Sequence, residues 1–246
     1  MGTGRRAGTV SDRFEFRPAE HGPLRIWKQP DPGRVYVIGV DVAEGVAGGD
    51  NSVAAVLDAE TMEQCAEWCG NIEPYEFAEE VVNLAKWYGD ALTAIEINNH
   101  GLAVVNRVRD LGYWNLYNRR QFDTVQRAWV NRLGWQTSVR TKPLLIDHAR
   151  NVLREGEAVI YSMDLAEEMS TYVLDDAGRA NAQAGKHDDR VMAWMIALQC
   201  REMVFEAGLH LSEKKKSSPD AWVWDKVRQL DKDAAREKRS ESYEAF

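Results

Sequence analysis

The feature that most limits how this chain can fold is an apolar run that ends in a carboxylate. Residues 34–42, RVYVIGVDV, are rich in β-branched side chains, as is typical of a central strand. Asp41 lies near the end of this run, where a charged group is costly unless it is paired or bound to a metal ion. A glycine-containing turn, AEGVAGGDN, follows. The pattern predicts a buried strand that carries an acidic side chain to the edge of a sheet.

Two further acidic positions repeat this arrangement. Glu96 lies within a short apolar run, LTAIEIN, which is predicted to be a strand over residues 92–98. If the two strands are neighbours, they lie about 4.8 Å apart, and both carboxylates can reach one cation. Asp188 and Asp189 open a long predicted helix, where an acidic side chain is favourable. Successive helical residues diverge by about 100°, so we expect only one of this pair to bind a given ion directly.

The remaining pattern predicts an α/β domain with a central mixed β-sheet flanked by helices. Strands at residues 52–59 and 64–72 are expected to form an antiparallel group with the first. Three shorter strands are expected at NLYNR, WQTSVRT and AVIYS, and residues 175–187 are predicted to be a loop. Helices are expected at residues 74–89, 101–112, 143–156, 164–174 and 187–205. This order of elements suits a ribonuclease H-like fold.

The domain organisation follows from the same patterns. Residues 1–33 contain four prolines and show no helical or strand periodicity, so they are predicted to be an arm or linker. Residues 34–210 form the expected domain, and residues 211–246 form a charged tail. We find no apolar run near the roughly 18 residues that a membrane span requires. The three cysteines are too few for a disulfide framework.

Charge is distributed unevenly along the chain. The net charge is −8, which argues against a nucleic-acid partner when taken alone. Residues 101–146, however, carry eight cationic and two anionic side chains, a net charge of +6. This segment is compatible with a phosphate-binding surface on an acidic body, or with an ordinary solvated surface.

The three acidic positions together favour a metal site. Carboxylate oxygens are hard ligands and indicate Mg²⁺ or Mn²⁺, two ions of which would hold a scissile phosphate. Each residue also has a structural interpretation: Asp41 as a strand-end turn residue, Glu96 as an ion-pair partner and Asp188 as a helix cap. The joint occurrence of three acids at the ends of predicted elements favours the metal site.

Four segments carry a resemblance to a known family: YVIGVDVAEGVAGGDNSV, AIEINNHG, TSVRTKPLLIDHARNVLREG and GKHDDRVMAWMIA. Together they resemble the nuclease domain of the large terminase subunit of tailed bacteriophages, over about residues 34–203. The most specific features are HDDRVMA and the spacing of Glu96, Asn98 and Gly101. The resemblance implies a ribonuclease H-like endonuclease that cuts double-stranded concatemeric viral DNA by two-metal-ion hydrolysis.

The resemblance also implies roles for individual residues. Asp41, Glu96, Asp188 and Asp189 would be the catalytic metal ligands, with Asp188 preferred for direct contact and Asp189 in a supporting or alternate position. His187, Asn98 and Asp50 are expected to support the site, although a structural or capping role is an alternative for His187 and Asp50. The expected DNA contacts are Arg119, Arg120, Arg127, Arg132, Arg140, Lys142 and Lys186. Trp129 and Trp135 are interpreted as packing residues rather than base-stacking ones.

The expected partners are double-stranded DNA, a terminase ATPase domain, the portal protein and the small terminase subunit. The implied location is the host cytoplasm, at the procapsid portal. The chain has no Gly-x₄-Gly-Lys-Ser/Thr phosphate loop. We therefore expect a nuclease fragment, or a separately encoded nuclease part, that neither hydrolyses ATP nor moves DNA by itself.

Three alternatives stay open from the sequence. A resolvase or transposase core shares the predicted fold and would cut branched DNA or transposon ends. A sugar kinase or actin-like ATPase begins with a similar acidic strand and glycine turn, but requires a second domain with its own phosphate turn. A portal-docking module without catalytic activity is the non-enzymatic alternative.

Overall fold

A computed structural model describes residues 2–6, 16–19, 21–46, 48–174, 180–183 and 185–206. The strands are β1 (Gly2–Arg6), β2 (Phe16–Pro18), β3 (Leu24–Ile26), β4 (Tyr36–Asp41), β5 (Ser52–Asp58), β6 (Gln64–Gly70), β7 (Leu92–Ile95), β8 (Asn118–Asp123), β9 (Ala128–Leu133), β10 (Tyr172–Leu174) and β11 (Ala180–Ala182). The helices are α1 (Pro74–Trp87), α2 (Gly101–Asp110), α3 (Thr141–Glu155), α4 (Met163–Ser170) and α5 (Asp189–Glu206).

Seven strands form the central sheet in the order β2-β1-β3-β6-β5-β4-β7. The antiparallel group of β4, β5 and β6 is confirmed, and β7 runs parallel to β4. A parallel neighbour needs a crossover connection, which α1 provides between β6 and β7. The mixed sheet with flanking helices confirms the predicted fold class.

The sheet is covered on both faces, which explains why its central strands are apolar without a break. Alternate residues of β4 point to opposite sides, so Val37 belongs to one core cluster while Ile38 and Val40 belong to the other. The first cluster packs against α3, α4 and α5, and the second against α1 and α2. Burial of all six β4 residues except Asp41 leaves the acid at the strand's open end.

Several short elements differ from the sequence prediction. The strand expected at NLYNR begins later, as β8, which overlaps only the last two residues of that segment and forms a hairpin with β9. The strand expected at WQTSVRT is reduced to an isolated bridge between Trp135 and Glu96. AVIYS forms only an isolated bridge from Val159 to Glu63. The helix predicted over residues 164–174 ends at Ser170, and β10 follows and pairs with β11 inside the predicted loop. Exposed elements carry weak hydrophobic periodicity, which is why the pattern placed them poorly.

The arm predicted over residues 1–33 contains three short strands that extend the sheet. β3 pairs with β6, and the amide nitrogen of Trp27 donates to the Cys65 carbonyl at 2.9 Å. The three-residue strands β2 and β3 are too short to show a period in the sequence. The predicted tail, with Trp222 and Trp224, lies outside the described residues. Among the described helices, none is long and apolar enough to cross a membrane.

Candidate metal-binding site at the edge of the sheet

Asp41 and Glu96 lie side by side at the ends of β4 and β7. In the parallel pairing of these strands Val40 is opposite Ile95, so the next residue on each strand is one of the two acids. The amide nitrogen of Glu96 donates to the carbonyl of Val40 at 2.9 Å, which continues the ladder by one residue. The two carboxyl groups are close enough for the negative charge of Glu96 to raise the pKa of Asp41. The neighbouring strands on which the sequence argument depended are therefore present.

The surroundings of Asp41 raise its pKa. Burial raises its pKa well above the usual value, and the negative charge of Glu96 and a hydrogen bond with that carboxyl group raise it further. The charges of Asp189 and Asp188 act in the same direction. The negative charges of these acids act together on Asp41, and a divalent cation would relieve their mutual repulsion.

Helix α5 brings the other two acids to the strand end by close packing on β4. Gly39 lies at the contact: a Cβ atom there would be 2.1 Å from the carbonyl oxygen of Ala193 and 2.4 Å from the nitrogen of Ala197. Only glycine leaves room for the helix to approach the strand this closely. The N-terminus of α5 is therefore held beside the end of β4, with Asp188 and Asp189 at its start.

The two aspartates diverge, as expected for consecutive residues at a helix start. Asp189 is 14% exposed and accepts the amide hydrogen of Asn51 at 3.1 Å. Burial raises its pKa to about 6, with Asp50 and Glu168 adding to the shift while the Asn51 amide and His187 oppose it. Asp188 is 28% exposed, and its carboxylate lies 3.8 Å from the Lys142 ammonium group.

A second set of potential ligands extends the acidic edge towards solvent. Side-chain ligand atoms of Asp50, His187 and Asp189 all lie within 4.8 Å of one another. The Nδ1 atom of His187 is 3.0 Å from Asp50 Oδ1 and 3.9 Å from Asp189 Oδ2. The side-chain amide of Asn71 donates to the carbonyls of Val46 and Asp50 at 2.8 and 3.0 Å, which holds the loop that carries Asp50.

These acids open into a cleft of about 580 Å³. Its walls include Asp41, Asp50 and Asp189, together with the backbone of the turn after β4 and the segment before α2. Carboxylate oxygens and one imidazole are a donor set that suits Mg²⁺, Mn²⁺ and related divalent ions. The residues present therefore fit the metal that the sequence implied.

The Glu96–Asn98–Gly101 spacing has a physical explanation in the structure. Asn98 Nδ2 donates to Glu96 Oε1 at 3.1 Å and to the carbonyl of Thr137 at 2.9 Å, so the amide orients the carboxylate from a fixed backbone position. Gly101 begins α2 directly against Glu96, and a Cβ atom there would lie 1.6 Å from the Glu96 carbonyl oxygen. Asn98 and Gly101 together determine the position and orientation of Glu96.

The residues predicted to contact DNA fall into separate environments. Arg119 is turned back on the chain, donating to the carbonyls of Leu133 and Gly134 at 3.2 and 2.8 Å. Arg132 pairs with Asp123 at 2.9 Å. Two others, Arg127 and Arg140, are exposed at the hairpin turn and just before α3. Four of the five arginines thus lie on the hairpin, where Arg119 is directly opposite Arg132, and Arg140 lies outside it.

The other two predicted contacts lie nearer the acids. Lys142 on α3 approaches Asp188 and also donates to Asn181 Oδ1 at 2.9 Å. Lys186 is exposed and lies 3.7 Å from Glu167. Trp129 is 60% exposed, and its ring contacts Phe122 and lies beneath the Arg120 guanidinium group on the hairpin. Trp135, by contrast, is buried as predicted.

Sequence reasoning missed two residues that contribute to the site. Asn51 acts through its backbone amide, which carries no signal in the side-chain pattern. Arg190 follows the aspartate pair directly and is surrounded by carboxylates from other elements. A cation next to two acids at the start of a predicted helix was visible in the sequence, but the residues with which Arg190 pairs are distant along the chain.

The fold and the acidic edge together define a ribonuclease H-like domain with a potential site for divalent ions. Similar solved structures include the large terminase nuclease from thermophilic phage G20c. With bound cobalt it is 20% identical, has a TM-score of 0.58 and covers 74% of this chain and 89% of that one. The magnesium-bound form gives 19% identity, the same TM-score and the same coverage.

The nuclease domain of the large terminase of Thermus phage P74-26 is also similar. It is 20% identical, with a TM-score of 0.54 and coverage of 73% of this chain and 86% of that one. No family model matches the chain. Likenesses at this level of identity establish the shared fold, so the ribonuclease H-like prediction is confirmed.

Proposed function

We propose that this chain is the metal-dependent endonuclease domain of a phage DNA-packaging terminase, which cuts double-stranded concatemeric DNA. The observation that carries the proposal is the convergence of Asp41, Glu96, Asp188 and Asp189 at one edge of the sheet. The shared fold supports it, since the neighbours are terminase nucleases, solved with cobalt, magnesium or zinc bound.

In this proposal Asp41, Glu96 and Asp188 would hold the ions, with Asp189 as a supporting or alternate ligand. Two Mg²⁺ or Mn²⁺ ions bound there would supply an activated water and stabilise the leaving 3′-oxygen of the phosphodiester. Asn98 keeps the Glu96 carboxylate oriented towards the strand ends through its bond to Oε1. Asp50 and His187 extend the ligand set at the mouth of the cleft.

The protein's own cations position the DNA. Lys142 lies close enough to Asp188 to contact a phosphate held at the site, and the exposed Arg127, Arg140 and Lys186 provide further phosphate contacts. Arg119, Arg120 and Arg132 contribute through the charge of the hairpin. Because the net charge is −8, we expect weak and salt-sensitive DNA binding by this chain.

The partners proposed on the same basis are a terminase ATPase domain, the portal protein and the small terminase subunit. Their setting would be the procapsid portal in the host cytoplasm. The acidic edge alone would also suit a resolvase or a transposase core, and no contact in the described residues favours either of them.

The test is plasmid cleavage. Supercoiled plasmid is incubated with the protein in Mn²⁺, Mg²⁺ or EDTA, beside Asp41→Asn. The matched control is Asp110→Asn, which changes an exposed acid at the last residue of α2. We expect nicking and linearisation with metal by the unchanged protein and the control, and none with EDTA or Asp41→Asn.

Calorimetric titration with Mn²⁺ completes the test. Binding without cleavage would indicate that the acids hold metal but that cutting requires another domain. A protein that neither cuts plasmid nor binds Mn²⁺ contradicts the proposal, and equal cleavage by Asp41→Asn contradicts the assignment of the site.

A further inference from the structure

Arg190 lies immediately after the two aspartates at the start of α5, and its guanidinium group is 17% exposed. Its nitrogen atoms are each directed at a carboxylate. The partners are Glu67 Oε1 at 3.0 Å, Glu168 Oε1 at 2.7 Å and Asp164 Oδ2 at 3.4 Å. The planar fork of arginine suits such multiple pairing, which a lysine cannot reproduce.

Glu168 holds the backbone of the same helix turn. Its Oε2 atom accepts the amide hydrogen of Arg190 at 2.8 Å and that of Val191 at 3.3 Å. The first amides of a helix have no partner within the helix, and a carboxylate there is favourable to both the hydrogen bonds and the helix dipole. Glu168 lies on α4, so α5 is capped by a residue from another helix.

Glu67 connects this cluster to the sheet. It lies on β6, is 2% exposed and accepts a hydrogen bond from Gln64 Nε2 at 3.4 Å. Burial raises the pKa of Glu67, while the charge and hydrogen bond of Arg190 oppose the shift. A buried carboxylate in this position needs its cationic partner, because an unpaired buried charge is costly. Arg190 is therefore tied to one sheet strand and one helix at once.

This anchoring determines the direction in which the preceding residues point. Side chains of consecutive helical residues diverge by about 100°, so pinning Arg190 towards β6 and α4 leaves one orientation for the start of α5. In that orientation Asp189 meets the Asn51 amide, and Asp188 approaches Lys142. A rotation of the helix start would break both contacts and withdraw the carboxylates from Asp41.

We propose that Arg190 is a positioning residue for the metal site, which fixes the rotation of the α5 start and thereby aims Asp188 and Asp189 at Asp41. The inference depends on the proposed metal-dependent function. Glu168 shares this role, because it binds both the guanidinium group and the backbone of the same turn. Arg190 does not line the cleft, and its guanidinium group contacts Glu67, Asp164 and Glu168.

The experiment compares Arg190→Lys with the unchanged protein. Mn²⁺ affinity is measured by calorimetry, and amide hydrogen exchange at residues 190–192 is measured in EDTA. The matched control is Arg25→Lys, since Arg25 pairs with the same Asp164 at 2.5 Å but lies on β3. Thermal unfolding of each variant shows whether it is folded at the assay temperature.

We expect Arg190→Lys to weaken Mn²⁺ binding by about tenfold or more, because the start of α5 would no longer hold Asp188 and Asp189 in a fixed orientation. Exchange at residues 190–192 should rise, and the Mn²⁺ concentration for half-maximal plasmid cleavage should rise in proportion to the loss of affinity. The Arg25→Lys control should stay within twofold in every measurement. A simple loss of stability would not move the metal affinity of the folded fraction.

A folded Arg190→Lys protein that binds Mn²⁺ within twofold of the unchanged protein overturns the inference. If that variant does not fold, Mn²⁺ affinity is measured for Glu168→Gln instead, because the amide keeps an acceptor oxygen for the helix backbone but loses the charge. A Glu168→Gln affinity within twofold of that of the unchanged protein then overturns the inference. If the unchanged protein binds no Mn²⁺, the proposed function fails instead, and hydrogen exchange in EDTA still reports whether Arg190 fixes the start of the helix.

Discussion

The replacement Asp189→Asn should make the metal-free protein more stable at neutral pH while it weakens metal binding. Asp189 is mostly buried beside other acids, and its pKa is raised to about 6. At pH 7 and above it is therefore charged in an environment that disfavours the charge. Asparagine is neutral, has the same size and keeps an acceptor oxygen for the amide of Asn51.

The expected difference in the free energy of unfolding follows from the pKa of Asp189. A shift from 3.8 to about 6 corresponds to about 3 kcal/mol at roughly 1.4 kcal/mol per unit, an upper value for a group that is 14% exposed. The folded state binds more protons than the unfolded state between these two pH values. The free energy of unfolding of the parent protein thus falls as pH rises from about 4 to about 6. The variant lacks this contribution, so its advantage is near zero at pH 4 and reaches about 1–3 kcal/mol above pH 6.

Urea unfolding in EDTA at several pH values between 4 and 8 measures the difference directly. Acids far from Asp189 titrate equally in both proteins, so their contributions cancel in the comparison. The pKa of Asp41 is raised by the Asp189 charge, and the loss of that charge in the variant acts in the same direction as the predicted difference. Added Mn²⁺ should stabilise the parent protein more than the variant, because only a ligand that binds the folded state raises its stability. A variant less stable than the parent at pH 8 in EDTA, or an advantage of equal size at pH 4 and pH 8, would refute the reasoning.

Three further predictions concern the rest of the site. Gly101→Ala should lower the free energy of unfolding by about 1–3 kcal/mol or more in a urea titration, because its Cβ would overlap the Glu96 carbonyl; an unchanged midpoint would contradict this. Asn98→Ala should weaken Mn²⁺ binding by about 10–100-fold in calorimetry, since Glu96 loses the amide that orients it; unaltered affinity would show that the amide is dispensable. Arg127→Ala should weaken DNA binding and reduce the slope of the log binding constant against log salt concentration by about 1. Arg132→Ala should change the slope less, because Arg132 is already paired with Asp123. A larger effect of Arg132→Ala would show that the hairpin turn does not contact DNA.

The central strands and long helices could be predicted because their burial leaves a clear pattern. β4 and β5 are apolar throughout, and α1 shows helical spacing of Phe77, Val81 and Leu84. The hairpin of β8 and β9 left no such pattern, since its side chains are mostly exposed or half-buried. β10 and β11 were missed for a related reason: a three-residue strand is shorter than the window in which a period can be detected.

Some residues of the candidate site could likewise be predicted from the sequence, and others could not. Asp41 and Glu96 could be selected from sequence because a carboxylate inside an apolar run is unusual, and the cost of burying it suggests a ligand. The ion pairs of Arg190 could not be predicted from the sequence, because their acidic partners lie on β6 and α4, more than twenty residues away in every case. Charged residues at such separations show no spacing rule that links them.

The sequence by itself determined that acidic residues lie at the ends of β4 and β7 and at the start of α5, because local propensity and the apolar pattern predict where those elements begin and end. Only the tertiary structure decided that the ends meet. The parallel pairing of β4 with β7 puts Glu96 beside Asp41, and the contact at Gly39 lets α5 approach closely enough to add Asp188 and Asp189. Strand order and helix packing depend on contacts between residues far apart in the chain, and these contacts set the distances on which metal binding depends.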